Sequence, residues 1–214
     1  MSHSSTEPRL TVLVVDDHLL VRRGFRRMME DDPTIEVVGE AGDGPEAIEL
    51  ALRLRPQVVV MDFAMPNMTG AVATRKILAE APEIAILILS MHSEALYVRN
   101  CIEAGARGYL LKNAMDLELV AAVKELGRGG RVLDPRLAMD TGKDEASTPM
   151  LSARELEVLQ LIVNGKSNKD IALILGLSAN TVAVHRANIM QALEIHNTAE
   201  LVVYAIRHGL VSIA

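Results

Sequence analysis

Aromatic residues are scarce in this 214-residue chain. There is no tryptophan, and the five aromatics are Phe25, Phe63, Tyr97, Tyr109 and Tyr204. Holding single-stranded nucleic acid on stacked rings needs a richer supply, so that mode of binding is not expected. Cysteine is nearly absent. The lone Cys101 closes no internal disulfide and makes no cysteine-based zinc site, which fits a reducing compartment. Apolar runs are short: 84–89 falls far below the roughly 20 residues that span a bilayer, and 171–184 is interrupted by Gly176, Ser178 and Asn180. Residues 1–8 are polar and lack the apolar centre of a signal peptide. A soluble, cytoplasmic protein with no membrane partner is expected. An excess of positive charge is missing too. The net charge is −6, from 22 basic and 28 acidic residues, which rules out a wholesale cationic coat for nucleic acid.

Hydrophobic residues make up 50% of the chain and charged residues 23%, enough for a packed core. The first part alternates two patterns. Continuous apolar or β-branched runs occur at 10–15, 35–38, 58–61, 84–89 and 108–111. Between and after them, helical spacing occurs at 18–30, 45–54, 69–79, 93–104 and 114–127. Five strands alternating with five helices predict a parallel sheet covered on both faces. Residues 140–149 (DTGKDEASTP) are small and polar and read as a linker. Four helical segments follow, opened by the capping-box pattern Ser152-Ala153-Arg154-Glu155. Domains are expected at 9–130 and 150–214, joined by a linker over 131–149.

In parallel sheets functional groups gather at the carboxyl ends of the strands. By that rule strand 1 delivers Asp16 and Asp17, strand 3 Asp62, strand 4 Ser90 and strand 5 Lys112. Three carboxylates brought together raise one another's pKa unless a cation intervenes. Mg²⁺, a hard ion that prefers oxygen, suits them. A carboxylate nucleophile, a metal, an ammonium and a hydroxyl together suit phosphoryl transfer.

The acidic pair Asp16-Asp17, Asp62 followed by Ala64-Met65-Pro66-Asn67-Met68-Thr69-Gly70, Ser90, and Gly108-Tyr109-Leu110-Leu111-Lys112 resemble the receiver domain of bacterial two-component response regulators. The likeness runs from Leu10 to about residue 130 and implies a flavodoxin-like doubly wound fold. It implies that Asp62 takes a phosphoryl group from a sensor histidine kinase. It implies that Asp17, Asp62 and the Ala64 carbonyl hold Mg²⁺, and that Ser90 and Tyr109 form a switch in which the hydroxyl turns to the phosphoryl group and the ring rotates inward. Many receivers carry proline after the lysine; here Asn113 stands there.

Residues 167–175, the break at Gly176-Leu177 and residues 178–192 read as helix, tight turn, helix, with the second helix suited to a major groove. The stretch from Leu151 to Val211 resembles the LuxR/NarL-type helix-turn-helix, through Leu151-Ser152-Ala153-Arg154-Glu155, the segment 165–172, the segment 177–182 and the segment 185–190. Lys166, Ser167, Asn168, Lys169 and Thr181 are candidates for phosphate contacts, partly through helix N-terminal amides. Val184, His185, Arg186, Ala187 and Asn188 lie on or near the reading helix, where Val184 and Ala187 can meet thymine methyls. Core packing is the competing role for Val184, and a solvated helix face for Arg186. Charge is thin here: five basic residues balance five acidic ones from Met150 onward. Ala183 and Ala192 stand where the family usually carries cations.

These readings converge on a phosphorylation-controlled, sequence-specific regulator of transcription that binds a double-stranded DNA operator and forms a homodimer when phosphorylated. It is expected not to be an enzyme. One alternative is a regulator that ignores phosphate and answers to a partner protein. The other is a phosphatase similar to the haloacid dehalogenases. That chemistry wants a second aspartate two positions after the nucleophile, and neither Asp62 nor Asp16-Asp17 has one.

Overall fold

The computed structural model describes residues 9–66, 68–93, 95–112, 118–138 and 151–207. Asn67, Asn113, the expected helix start at 114–117, the polar tract 140–149 and the expected stop at Gly209 lie outside them. Strands β1 (Leu10–Val15), β2 (Ile35–Ala41), β3 (Val58–Asp62), β4 (Ala85–Ser90), β5 (Gly108–Leu111) and β6 (Val132–Leu133) form one sheet in the order β2-β1-β3-β4-β5-β6. Every pairing is parallel. Helices α1 (Leu19–Glu30), α2 (Gly44–Leu54), α3 (Gly70–Glu80), α4 (Ala95–Glu103) and α5 (Glu118–Gly127) cover its two faces.

The apolar strand runs are explained by this arrangement. Val12, Val14, Val58, Val60, Leu87 and Leu89 pack under α1 and α5. Their neighbours Leu13, Val15, Val59, Met61, Ile86 and Ile88 pack under α2, α3 and α4. Successive residues point to opposite faces, and both faces are covered, so no polar alternation survives. Cys101 is buried on the second face, and burial pushes its thiol pKa up, away from reactivity.

The expected number of strands is corrected from five to six. β6 adds to β5 with Gly108 opposite Val132 and Tyr109 opposite Leu133. Two residues are too few to show a period, and they follow Gly129-Gly130 inside a segment that reads as linker.

The second unit is all-helical: α6 (Ala153–Val163), α7 (Asn168–Leu175), α8 (Ala179–Ala192) and α9 (Thr198–Arg207). Ser152 with Glu155, and Ser167 with Asp170, close reciprocal capping boxes, while Ser178 caps α8 through the Thr181 amide. Gly176 ends α7 at φ +66°, a conformation only glycine adopts without strain. Leu159, Ile171, Val182, Ile189 and Leu201 form the interior.

The two units touch. Arg75 of α3 forms an ion pair with Glu157 of α6, and its other nitrogen donates to Asn100 of α4 at 3.1 Å. Arg154 reaches the same Glu157 at 2.7 Å and donates to the Leu175 carbonyl at 2.7 Å. Lys76 donates to the Ile174 carbonyl at 3.0 Å. Two cations from different helices therefore sit on the carbonyl end of α7, where the helix dipole favours them. No helix among the described residues is long and apolar enough to cross a membrane.

Candidate functional site

The strand ends bring the expected acids together. Lys112 Nζ lies 2.8 Å from Asp16 Oδ2 and 2.7 Å from Asp62 Oδ2. Asp16 and Asp62 are both buried. Asp16 Oδ1 accepts the His18 amide at 2.8 Å, and Arg22 donates to the Asp16 carbonyl at 2.5 Å. Asp17 is less deeply set and lies 2.8 Å from His18 Nδ1. Asp62 Oδ1 accepts the Ala64 amide at 3.3 Å, which draws the loop after β3 over the site. That loop folds back tightly. A Cβ on Gly70 would come within 2.5 Å of the Asp62 carbonyl oxygen, so glycine is required as the first residue of α3. Thr69 caps α3 through the Val72 amide.

Ser90 and Tyr109 are joined through one residue. Ser90 Oγ accepts the His92 amide at 3.0 Å, and the Tyr109 hydroxyl donates to the His92 carbonyl at 2.7 Å. The Tyr109 ring is fully buried and so points inward. Having accepted from His92, Ser90 Oγ keeps its own proton to give elsewhere. His92 also stacks on Tyr97 at 4.4 Å between ring centroids, and Phe63 meets Tyr97 edge-on at 5.3 Å. Phe63 and Tyr97 line a small crevice that Leu156 and Glu157 close from the helical unit. This aromatic bridge was not foreseen, because nothing in the spacing of residues 63, 92 and 97 announces it.

Burial pushes the Asp62 carboxyl up to about 6, with the Asp16 charge adding to the rise and Lys112 and the Ala64 amide opposing it. Lys112 is affected the other way. Burial alone would lower its pKa, but Asp62 and Asp16 outweigh it and hold the ammonium above the usual lysine value. Two buried carboxylates share one ammonium, and Asp17 stands beside them. The two uncompensated negative charges match one divalent cation, and ligand atoms of Asp16, Asp17 and His18 lie within 4.8 Å of one another. The carboxylate oxygens of Asp16 and Asp17 fit a hard ion such as Mg²⁺, whereas the His18 nitrogen suits it less, and Asp62 is not among these three residues.

The metal-free protein therefore carries a destabilising charge at Asp62. Between the ordinary carboxylate value of 3.8 and about 6, the folded state keeps a proton that the unfolded chain has released. This contribution is most favourable at low pH and is lost as pH rises through that window. In EDTA, Asp62→Asn is expected to be more stable than the wild type by roughly 1–3 kcal/mol near pH 7.5. The gap should shrink below about pH 5. Denaturant melts at both pH values check it; a gap independent of pH refutes the assignment.

In the helical unit α8 carries one formal charge, Arg186, and it is engaged within the fold. It donates to Asn168 Oδ1 at 3.1 Å and to Thr198 Oγ1 at 2.9 Å, tying α8 to the starts of α7 and α9. The outward face of α8 presents Thr181, Val184, Ala187 and Asn188. Val184 is 58% exposed, so it is not a core residue. The Ser167 hydroxyl donates to Asp170 at 2.6 Å, and the Thr181 hydroxyl pairs with Ser178 at 2.8 Å. Lys169 is exposed at the start of α7, with Lys166 half-buried just before it. His185 is half-buried, with Nδ1 lacking a partner among the described residues. On α1, Arg22 and Arg26 share Glu40 at 3.3 and 2.7 Å, and Arg26 also pairs with Glu30 at 2.8 Å, so these two cations are engaged within the fold.

Comparison with known proteins agrees with this division. Residues 12–124 match the response regulator receiver domain, and residues 149–205 match the bacterial regulatory proteins of the luxR family. The chain is 39% identical to the oxygen regulatory protein NreC of Staphylococcus carnosus, over 94% of this chain and 99% of that protein. It is 33% identical to the transcriptional regulatory protein DegU of Brevibacillus brevis over the full length of both. Among solved structures it is similar to RcsB from Salmonella enterica serovar Typhimurium bound to promoter rprA in the presence of phosphomimetic BeF3−. The TM-score is 0.74 at 26% identity, covering 92% of this chain and 98% of that one.

Proposed function

Because this chain belongs to the two-component response regulators that join a receiver domain to a LuxR-type DNA-binding domain, and is thus a transcriptional regulator and not an enzyme, we propose that Asp62 accepts a phosphoryl group from a sensor histidine kinase and that the acyl phosphate governs operator binding. The observation that carries this reading is Lys112 Nζ set between Asp16 and Asp62 at 2.8 and 2.7 Å. An Asp62 oxygen attacks phosphorus, the nitrogen–phosphorus bond of the donor histidine breaks, and the imidazole keeps the electron pair. Lys112 neutralises charge on the transferred group. Asp17, Asp62 and the Ala64 carbonyl, with Asp16 beside them, would hold Mg²⁺, whose chemistry there is to neutralise the phosphoryl oxygens.

The Ser90 hydroxyl then donates a hydrogen bond to a phosphoryl oxygen, and His92 moves with it, because the His92 amide is hydrogen-bonded to Ser90 and its carbonyl to Tyr109. The Phe63–Tyr97–His92 rings carry that motion toward Asn100 and Glu157, where α3 and α4 hold α6. Loosening this contact frees the helical unit to pair with a second copy. On DNA, Lys166, Ser167, Asn168, Lys169 and Thr181 line the phosphate side. Val184, Ala187 and Asn188 face the base edges, with His185 and Arg186 setting the helix behind them. The exposed Val203, with its neighbours Val202 and Tyr204 on α9, supplies a surface for a homodimer on paired half-sites. Residues 9–130 form the receiver, 131–149 the connection and 150–214 the DNA-binding unit.

Gel shifts on selected operator fragments, with and without acetyl phosphate and Mg²⁺, test the reading. Tighter binding and a dimeric complex are expected only with both. Equal affinity in all four conditions favours a regulator that answers to a partner protein instead.

A further inference from the structure

We propose that Asp134 is a positioning residue for the phosphoryl site: its carboxylate holds the outer edge of β5 so that Lys112 sits between Asp16 and Asp62, and it fastens the chain leaving the receiver to that same strand. This rests on Asp62 being the phosphoacceptor.

β6 stops at Leu133, two residues into its pairing with β5. The Asp134 amide still donates to the Tyr109 carbonyl at 3.0 Å. Its side chain then takes over from the missing strand: Oδ2 accepts the Leu111 amide at 3.0 Å. In a longer β6 a backbone carbonyl would occupy that place in the ladder. Asp134 is only 1% exposed and Leu111 is buried, so solvent is poorly placed to replace this acceptor. On its other edge Leu111 is in register with Ser90 of β4. The row Ser90, Leu111, Asp134 thus crosses the sheet at the strand ends, one residue before Lys112.

A local turn accounts for only part of this. Asp134 Oδ1 accepts the Arg136 amide at 3.0 Å, as in many aspartate turns, and Arg136 Nε at 2.7 Å, while a terminal nitrogen of Arg136 also pairs with Oδ2, the oxygen that holds the Leu111 amide. The Oδ2 contact to Leu111 spans 23 residues of sequence and has no local purpose. Arg136 also lies 3.5 Å from Glu118 of α5, so the segment is anchored on two elements. Burial works against the Asp134 charge, but Arg136 and the two amides prevail and hold its pKa below the usual carboxylate value. A charged acceptor holds the Leu111 amide more firmly than a neutral one. The strand that carries Tyr109 and leads directly into Lys112 is thereby joined to residues 132–138, the path toward the DNA-binding unit.

The test is label incorporation from acetyl phosphate into the full chain, at a temperature where each variant is folded by circular dichroism. Asp134→Ala is expected to slow it about tenfold, as small misplacements of reacting groups do. Asp134→Asn, whose amide oxygen can still accept from Leu111, should recover most of the rate. Arg136→Ala, which spares that contact, should stay within about twofold of the wild type. A purely structural role would lower the melting temperature of the variants without this order of rates. Wild-type labelling together with equally fast Asp134→Ala labelling overturns the proposal alone, whereas an unlabelled wild type overturns the phosphoacceptor reading with it. Should Asp134→Ala not fold, the wild-type Leu111 amide decides by NMR. A proton far downfield that moves on adding beryllofluoride supports the proposal, and an ordinary, unmoved resonance overturns it.

Discussion

Asp62→Asn is expected to incorporate no phosphoryl label from acetyl phosphate, a loss of at least about two orders of magnitude, while remaining folded. The asparagine amide keeps the shape of the side chain but is not a nucleophile toward phosphorus. No neighbouring acid can stand in. Asp16 is buried, with one oxygen against Lys112 and the other on the His18 amide. Asp17 lies farther out against His18. Retention of the fold follows from the electrostatics, since the substitution removes a charge whose burial is unfavourable. Intact-mass measurement after incubation with donor and Mg²⁺ reads the result directly. A phosphoprotein peak of wild-type intensity in the variant would place the acceptor elsewhere and dismantle the account of the switch.

Arg75→Ala is expected to separate the two units and raise the DNA affinity of the unphosphorylated protein toward that of the phosphorylated one. Glu157 is 1% exposed and is shared by Arg75 and Arg154. Removing Arg75 leaves Glu157 paired with Arg154 within its own helix, so the helical unit keeps its structure while the ion pair to α3 is lost and Lys76 on the Ile174 carbonyl remains as a weaker tie. The Arg75 side chain is 36% exposed, so solvent screens the pair and its worth is discounted to roughly 0.5–2 kcal/mol. That still shifts a balanced equilibrium between joined and separated units by about two- to thirtyfold. Small-angle scattering should show a larger radius of gyration, and gel shifts without phosphodonor should tighten. An unchanged radius with unchanged affinity would mean that the contact does not restrain the DNA-binding unit.

Much of the receiver was readable from strand ends. The apolar runs at 58–61 and 84–89 terminate in Asp62 and Ser90, and a parallel sheet delivers such residues to one edge whatever the loops do. Lys112 followed by the same rule. The capping boxes at Ser152 and Ser167 were equally plain, because a cap is a contact within four residues. What escaped depends on distant pairs. Arg75 and Glu157 are 82 residues apart, and Asp134 and Leu111 are 23 apart, with no local pattern linking either pair. The sixth strand was missed because it exists only as an addition to β5. Arg186 could be placed on α8 but not oriented: its engagement with Asn168 and Thr198 is set by how α7 and α9 cross that helix. Val184 faces solvent for the same reason.

The neutral outer surface of α8, with its single guanidinium tied to Asn168 and Thr198, bears on how the regulator behaves in a concentrated electrolyte. Few condensed ions would leave the duplex when this helix settles into it, so little of the attraction comes from their escape. On the base and phosphate contacts proposed above, affinity would fall only shallowly with added salt, a slope set mainly by Lys166 and Lys169 that a salt titration of the gel shift reads.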